Sequence, residues 1–161
     1  MSLAADITVA AVVCRAGRFL VVAERIRHRL VFNQPAGHLE DRETLLEAVV
    51  REAREETAWS FRPEALLGVY LWRNPDSGIS TFRFAFSGSV SDHRPEQPLD
   101  RGIVATHWLT RAELAARGPR LRSPLVLRCI DDHLAGKRAP LAIVECLGLD
   151  DVEEIAALAA T

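Results

Sequence analysis

Little in this chain of 161 residues commits it to a special environment. No apolar run approaches the roughly 20 residues needed to span a bilayer, so a membrane protein is not expected. Cysteine is scarce: Cys14, Cys129 and Cys146 are odd in number, far apart and set among apolar neighbours, which argues for reduced thiols rather than a disulfide framework or a zinc site. Neither sign of charge prevails. With 20 Lys and Arg against 22 Asp and Glu the net charge is −2, and aromatics make up only 6%, so no basic, aromatic-rich stripe marks a nucleic-acid-binding module. The opening MSLAADITVAAVV has no positively charged segment ahead of its apolar stretch. No signal peptide is therefore expected, and the cytoplasm is the expected location. An anionic ligand has to be held by local charges or by a metal.

What is present is an ordinary globular composition, 48% hydrophobic and 26% charged, long enough to bury a core as one domain over residues 1–161. Ile7–Cys14 and Arg18–Arg25 read as a hairpin of buried strands around Ala16-Gly17. A short strand at Val31–Asn33 precedes a loop marked by Pro35 and Gly37, and a helix is expected from about Thr44 to Thr57, with Leu45, Ala48, Val49 and Ala53 as its apolar stripe. Strands are expected at Leu66–Arg73 and Ile79–Val90, joined by the turn at residues 74–78, with Phe82, Phe84 and Phe86 on one face. The polar stretch Asp92–Gly102, with Pro95 and Pro98, reads as a mobile loop before a strand at Val104–Leu109. Thr110 and Glu113 form a capping-box pattern for a short helix. Ser123 and Pro124 open a helix ending near Gly136, with Val126, Leu127, Ile130 and Leu134 as its core face, and a last helix is expected from about residue 150. Strands and helices mix without a regular βαβ repeat, which points to an α+β fold or a mixed-sheet sandwich.

The most informative stretch is residues 37–59, GHLEDRETLLEAVVREAREETAW. In a helix Glu52 faces Glu55 at i+3 and Glu56 at i+4, so three carboxylates crowd one stripe, each like-charged pair costing about 0.2–0.5 kcal/mol on a solvated surface. A hard divalent cation reverses that cost, because Mg²⁺ and Mn²⁺ prefer carboxylate oxygens. On the helix alone, the competing reading is a solvated face in which Arg51 pairs with Glu55 at i, i+4.

The register Gly37-x5-Glu43-x7-Arg51-Glu52-x2-Glu55-Glu56 resembles the Nudix box, with Ala53, Ala58 and Trp59 departing from the pattern where it has an aliphatic residue, a glycine and an aliphatic residue. Within that family, NQPAGHLE at residues 33–40 and LRSPL at 121–125 resemble the bacterial NudJ phosphatase subgroup. The resemblance implies a Nudix fold: a mixed sheet between helices, carrying the box as a loop-helix-loop. It also implies an Mg²⁺-dependent hydrolase, with Mn²⁺ as a substitute, acting on a small-molecule nucleoside diphosphate, triphosphate or related organic pyrophosphate such as those of thiamine metabolism. By resemblance Glu52 and Glu56 are direct metal ligands, Glu55 a ligand partly through water, and the Gly37 carbonyl a further one. Glu43 and Arg51 are read as an ion pair holding the carboxylates in place. The general base is open among Glu55, Glu56 and an acid outside the box, for which Asp100 and Glu96 are candidates against plain surface solvation. For phosphate contacts the candidates are Arg83, on the strand face opposite the phenylalanines, and Arg122, ahead of a helix N-terminus, with His38 after the loop glycine. Trp72 is the first candidate for a platform under a base or thiamine-type ring, ahead of Phe32 and Trp108. A Nudix-fold sensor that binds without hydrolysing is the alternative, disfavoured because all four box glutamates are present. Monomer and homodimer are both open.

Overall fold

The computed structural model describes residues 5–148; the helix expected from about residue 150 lies outside the described residues. Seven strands form one mixed sheet: β1 (Ala5–Arg15), β2 (Arg18–Ile26), β3 (Arg29–Asn33), β4 (Ala36–His38), β5 (Ser60–Arg73), β6 (Ser80–Ser91) and β7 (Ile103–Leu109). The order is β3-β2-β1-β6-β5, with β4 added on β1 and β7 on β2. Strand β1 joins the two halves. Its residues 5–13 run parallel to β6, while Cys14 and Arg15 turn into the antiparallel hairpin with β2 through Ala16 and Gly17, both at positive φ as a tight hairpin turn requires.

Helix α1 (Leu45–Thr57) packs on one side of β1, β6 and β5, and α3 (Leu125–Leu134) on the other; α2 (Arg111–Ala115) is a short helix beside α3. Both faces of the central strands are therefore covered, which is why β1 reads as a nearly unbroken run of Val and Ala. Val9, Ala11 and Phe86 meet Ala48, Val49 and Ala53 of α1, whereas Ala10, Val12 and Ala85 meet Cys129 and Ile130 of α3. Thr44 caps α1 as half of a capping box with Glu47, and Thr110 with Glu113 does the same for α2.

Several expected boundaries move. Strand β5 starts at Ser60 rather than Leu66, and its pairing with β6 continues through register shifts between Pro63 and Ala65 and between Leu66 and Gly68. Residues 36–38, expected as loop, pair with β1 as Ala36↔Ala10, Gly37↔Val9 and His38↔Thr8. On α3, Leu125 and Cys129 face inward, and Leu134, expected in the core, is 59% exposed at the last turn. The helix begins at Leu125, whose N–H donates to Ser123 Oγ at 3.3 Å. The stretch 92–102, read as mobile, is tied down by three hydrogen bonds to the C-terminal end of α1, donated by Arg94 N–H, Asp100 N–H and the Gln97 side-chain amide.

The helix carrying the carboxylates ends at Ala58, in the left-handed region at φ 59° and ψ 15°, with its N–H donating to Arg54 O at 2.9 Å. The departure from glycine is thus tolerated in place rather than avoided by a different helix end. Alanine there carries about 1–2 kcal/mol of strain. Its methyl is buried, and replacing it by glycine frees the unfolded chain by about 0.4–1 kcal/mol, so the two effects nearly offset. Thermal denaturation of Ala58→Gly should show a change within about 1 kcal/mol; a loss above about 2 kcal/mol would mean that the buried methyl, not the backbone, dominates this cap. On α3, Asp132 is a buried anchor bonded to Lys137 at 2.7 Å, Arg128 at 3.1 Å and the Tyr70 hydroxyl at 2.9 Å. Burial opposes its ionisation, but these three partners together hold it at about 2. Because the folded value lies below the usual carboxylate value, the stabilisation is fully present above about pH 4 and lost as pH falls toward 2. Asp132→Asn is expected to lose about 1.5–3 kcal/mol at pH 7 in urea titrations, with the gap to the parent closing below pH 4.

Candidate active site

Strand β4 and helix α1 face each other, and each of the three β4 residues holds one residue of the box. The Ala36 N–H donates to a Glu56 carboxylate oxygen at 2.8 Å. Gly37 lies flat against the Glu52 carboxylate, where a Cβ would collide with both oxygens. The His38 carbonyl accepts from Arg51 Nη2 at 3.0 Å. Arg51 uses all five of its N–H donors: two bind Glu43 as a fork at 2.7 and 3.0 Å, and the others reach Glu52 at 2.8 Å, Glu55 at 3.1 Å and His38 O. Glu43 is fixed in turn by the Glu40 N–H at 2.7 Å. Hydrogen bonding to Glu43 raises the Arg51 pKa further, and although burial pushes Glu43 up, the Arg51 guanidinium outweighs it and holds Glu43 below its usual value.

Glu52 and Glu56 are each only 8% exposed and line a cavity of about 460 Å³. Burial pushes both up, Glu56 to about 8 against the pull of the Ala36 N–H and with the charges of Glu52, Glu24 and Asp100 adding to the rise; Arg51 moderates the effect on Glu52. Glu55 does not line this cavity: its side chain is 45% exposed and bound to Arg51, the i, i+4 pair that a plain helix would form. Glu24 and Asp100 extend the acidic wall. Glu24 is one that sequence reasoning missed. It sits at a register shift of the β2–β7 pairing after Ala23, and a bulge of that kind, which re-aims a side chain, is not visible in a single sequence. Glu96 is exposed and absent from the lining.

The floor of the cavity follows from the β1–β6–β5 register. One transverse row is Asp6–Thr81–Trp72 and the next is Thr8–Arg83–Tyr70. This register brings Trp72 and Arg83 into one cavity with His38 and Arg122. Phe32, by contrast, is buried in the α3 side of the core, and Trp108 packs at the α1 side near Trp59. Arg83 is 6% exposed and has no carboxylate partner among the described residues; Nη1 reaches only the side-chain amide oxygens of Asn33 at 3.4 Å and Gln34 at 3.5 Å, and Nε has no partner. Burial accordingly lowers its pKa from the usual guanidinium value. Gln34, itself 1% exposed, is anchored through its amide nitrogen to Val126 O at 2.7 Å, which ties Arg83 to the start of α3. Within the lining Arg83, Asn33, Ser123 and Leu125 are buried, whereas His38, Ser77, Ile79, Asp100 and Arg122 are exposed. His38 stands at the rim, 3.7 Å from Asp6.

Among the described residues no three His, Cys, Asp or Glu side chains converge into a ready-made metal cluster. The donor set nevertheless fits a hard divalent cation: two buried carboxylates share one cavity, and a glycine leaves room against one of them.

The NUDIX domain family matches residues 5–129. The chain is 41% identical over 138 residues to the phosphatase NudJ of Shigella boydii, spanning 86% of this chain and 89% of that protein, and equally so to the phosphatase NudJ of Escherichia coli K12. Among solved structures, a NUDIX hydrolase from Nitrosomonas europaea superposes with a TM-score of 0.87 at 43% identity, covering 89% of this chain and 97% of that one. With the domain matched over most of its length and NudJ phosphatases as relatives, the chain belongs to the Nudix family, whose hydrolases generally use a divalent metal to act on small phosphorylated molecules.

Proposed function

We propose that this Nudix hydrolase is an Mg²⁺-dependent phosphohydrolase, with Mn²⁺ able to substitute, that removes the terminal phosphoryl group from a nucleoside di- or triphosphate or a related organic pyrophosphate, including those of thiamine metabolism. The observation that carries this reading is Arg83, a buried guanidinium without an acid partner among the described residues, lining the same cavity as Glu52 and Glu56. A buried guanidinium suits a terminal phosphoryl group, bound by its N–H donors and by the N-terminal end of α3. The same cavity carries the half-buried Trp72 indole, which offers a face to the ring of the leaving nucleotide or pyrophosphate. The name of the NudJ relatives, phosphatases, agrees with this reading. Three free cysteines suit a reducing cytoplasm.

In this reading Glu52, Glu56 and the Gly37 carbonyl hold the cation, and Glu55 acts at its outer, solvent side while Arg51 holds it. A divalent cation there neutralises phosphate charge and supplies an activated water nucleophile. Arg51 and Glu43 keep Glu52 aimed at the cavity, a role that geometry rather than substrate contact explains. Arg83 and Arg122 fix the terminal phosphate, and Asn33 and Gln34 orient Arg83. His38 and Asp6 shape the rim.

A phosphate-release screen over nucleoside di- and triphosphates, thiamine pyrophosphate, sugar nucleotides and dinucleoside polyphosphates, with Mg²⁺ and Mn²⁺, tests the reading. Orthophosphate from substrates with a free terminal phosphate is expected, and Glu52→Gln, folded by circular dichroism, should lower kcat on the order of 10²-fold or more. Turnover confined to sugar nucleotides, or normal turnover in Glu52→Gln, would sink it. Gly37→Ala drives a methyl into the Glu52 carboxylate and should cost about 10–100-fold in activity with a raised Mg²⁺ requirement and little change in melting temperature; unchanged metal titrations would show that the close approach has no part in holding the cation.

A further inference from the structure

Asp6 lines the cavity, and phosphate binding has no use for it, because a carboxylate repels phosphate oxygens. Its backbone is in register with Thr81 of β6, and Thr81 with Trp72 of β5. A carboxylate, a hydroxyl and an indole therefore stand in one transverse row on one face of the sheet, and all three line the cavity. Neighbouring strands are about 4.8 Å apart, so Thr81 has Asp6 on one side and Trp72 on the other. Two residues along a strand span about 7 Å, which puts this row one step from the Thr8–Arg83–Tyr70 row that carries the guanidinium. Trp72 and Thr81 are half-buried and Asp6 is exposed. Among the described residues the ionic partner of Asp6 is His38, whose Nε2 stands 3.7 Å away, beyond hydrogen-bond distance.

The three side chains differ in what they can read. Indole offers a face for stacking and is indifferent to the edge of the ring it covers. An ionised carboxylate only accepts hydrogen bonds, whereas a threonine hydroxyl also donates. An acceptor beside a donor matches a ring edge on which an amino group adjoins an unprotonated ring nitrogen, as in adenine and cytosine. Hypoxanthine and uracil carry a carbonyl oxygen in place of that amino group, and a carboxylate that turns to their ring N–H still stands beside the carbonyl. We propose that the Asp6–Thr81–Trp72 row is a subsite that selects substrates whose aromatic heterocycle carries an amino group next to a ring nitrogen. Trp72 stacks on the ring, the Asp6 carboxylate accepts from the amino group, and the Thr81 hydroxyl donates to the ring nitrogen. The inference rests on the reading of the cavity as a phosphohydrolase site and names the class of ring that this site takes.

Substrate pairs that differ at this one edge test it on the full chain: kcat/KM for ATP against ITP and for CTP against UTP. The parent should favour the amino member of each pair by about 10-fold, the worth of one hydrogen bond to a charged group at a half-open site. Asp6→Asn loses the charge and can turn a donor to a carbonyl, so both ratios should come within about 2-fold of unity, chiefly by slowing ATP and CTP. Trp72→Leu should instead raise KM for all four alike. Asp6 is exposed, so its variant leaves the core untouched. Parental ratios near unity overturn the proposal, as do ratios unchanged in Asp6→Asn; an equal loss on all four substrates in that variant also overturns it and leaves Asp6 as a partner of His38. Calorimetric binding of AMP and IMP needs no turnover, and the parent should hold AMP about 10-fold more tightly, with Asp6→Asn holding both alike. A chain that tells AMP from IMP yet releases no orthophosphate from any of the triphosphates keeps this subsite and removes the hydrolase reading, whereas equal turnover of all four removes the subsite alone.

Discussion

Everything around the cavity depends on the clasp between β4 and α1. Three consecutive residues of a short strand meet three box residues of the helix: Ala36 N–H on Glu56, the bare Cα of Gly37 against Glu52, and the His38 carbonyl on Arg51. The strand is in place because it pairs with β1, and the helix because Ala48, Val49 and Ala53 are buried against the same sheet. Two carboxylates with almost no access to water are the outcome, and burial alone favours their protonated forms. The saturated Arg51 opposes that on one side only, holding Glu52 and Glu43 while Glu56 has a single backbone donor. A divalent cation bound there would relieve the repulsion between the two carboxylates.

The opposite wall repeats the same logic with reversed sign. Arg83 is buried on the sheet without an acid to neutralise it, and the groups nearest its guanidinium are amide oxygens. A buried charge so placed is costly unless a ligand completes it. Arg83 lines the same cavity of about 460 Å³ as Glu52 and Glu56. Incompletely neutralised charges of both signs thus meet in one cavity of a protein whose net charge is −2.

Much of the fold was legible along the chain because it rests on short-range rules. The β1–β2 hairpin, the capping boxes at Thr44 and Thr110, the alternation of β6 and the apolar stripe of α1 all follow from period and turn chemistry, and each is present. Errors fell where long-range pairing overrides local preference. The strand expected at Leu66–Arg73 begins at Ser60, with register shifts at Pro63/Ala65 and Leu66/Gly68. Residues 36–38 read as loop, yet β1 offers them a free edge. The 92–102 segment has the composition of a mobile loop, but the orphan carbonyls at the end of α1 and the ring of Trp59 give it partners far away in sequence.

For the site, the sequence by itself determined the identity of the machinery: one glycine, one arginine and four glutamates at spacings that a helix turns into a stripe, with Arg51 within reach of Glu55 one turn on. That much is fixed by 3.6 residues per turn and needs no other element. Only the tertiary structure decided which glutamates enter the cavity. Glu55 shares their stripe but faces outward, and the difference comes from β4 and the sheet behind it. The same holds for the far wall, where the parallel register of β1 with β6 and the antiparallel register of β6 with β5 bring Asp6, Thr8, Trp72 and Arg83 together from three segments. Spacing along one chain encodes a helix face, whereas a cavity between elements is encoded in registers that only folding brings about.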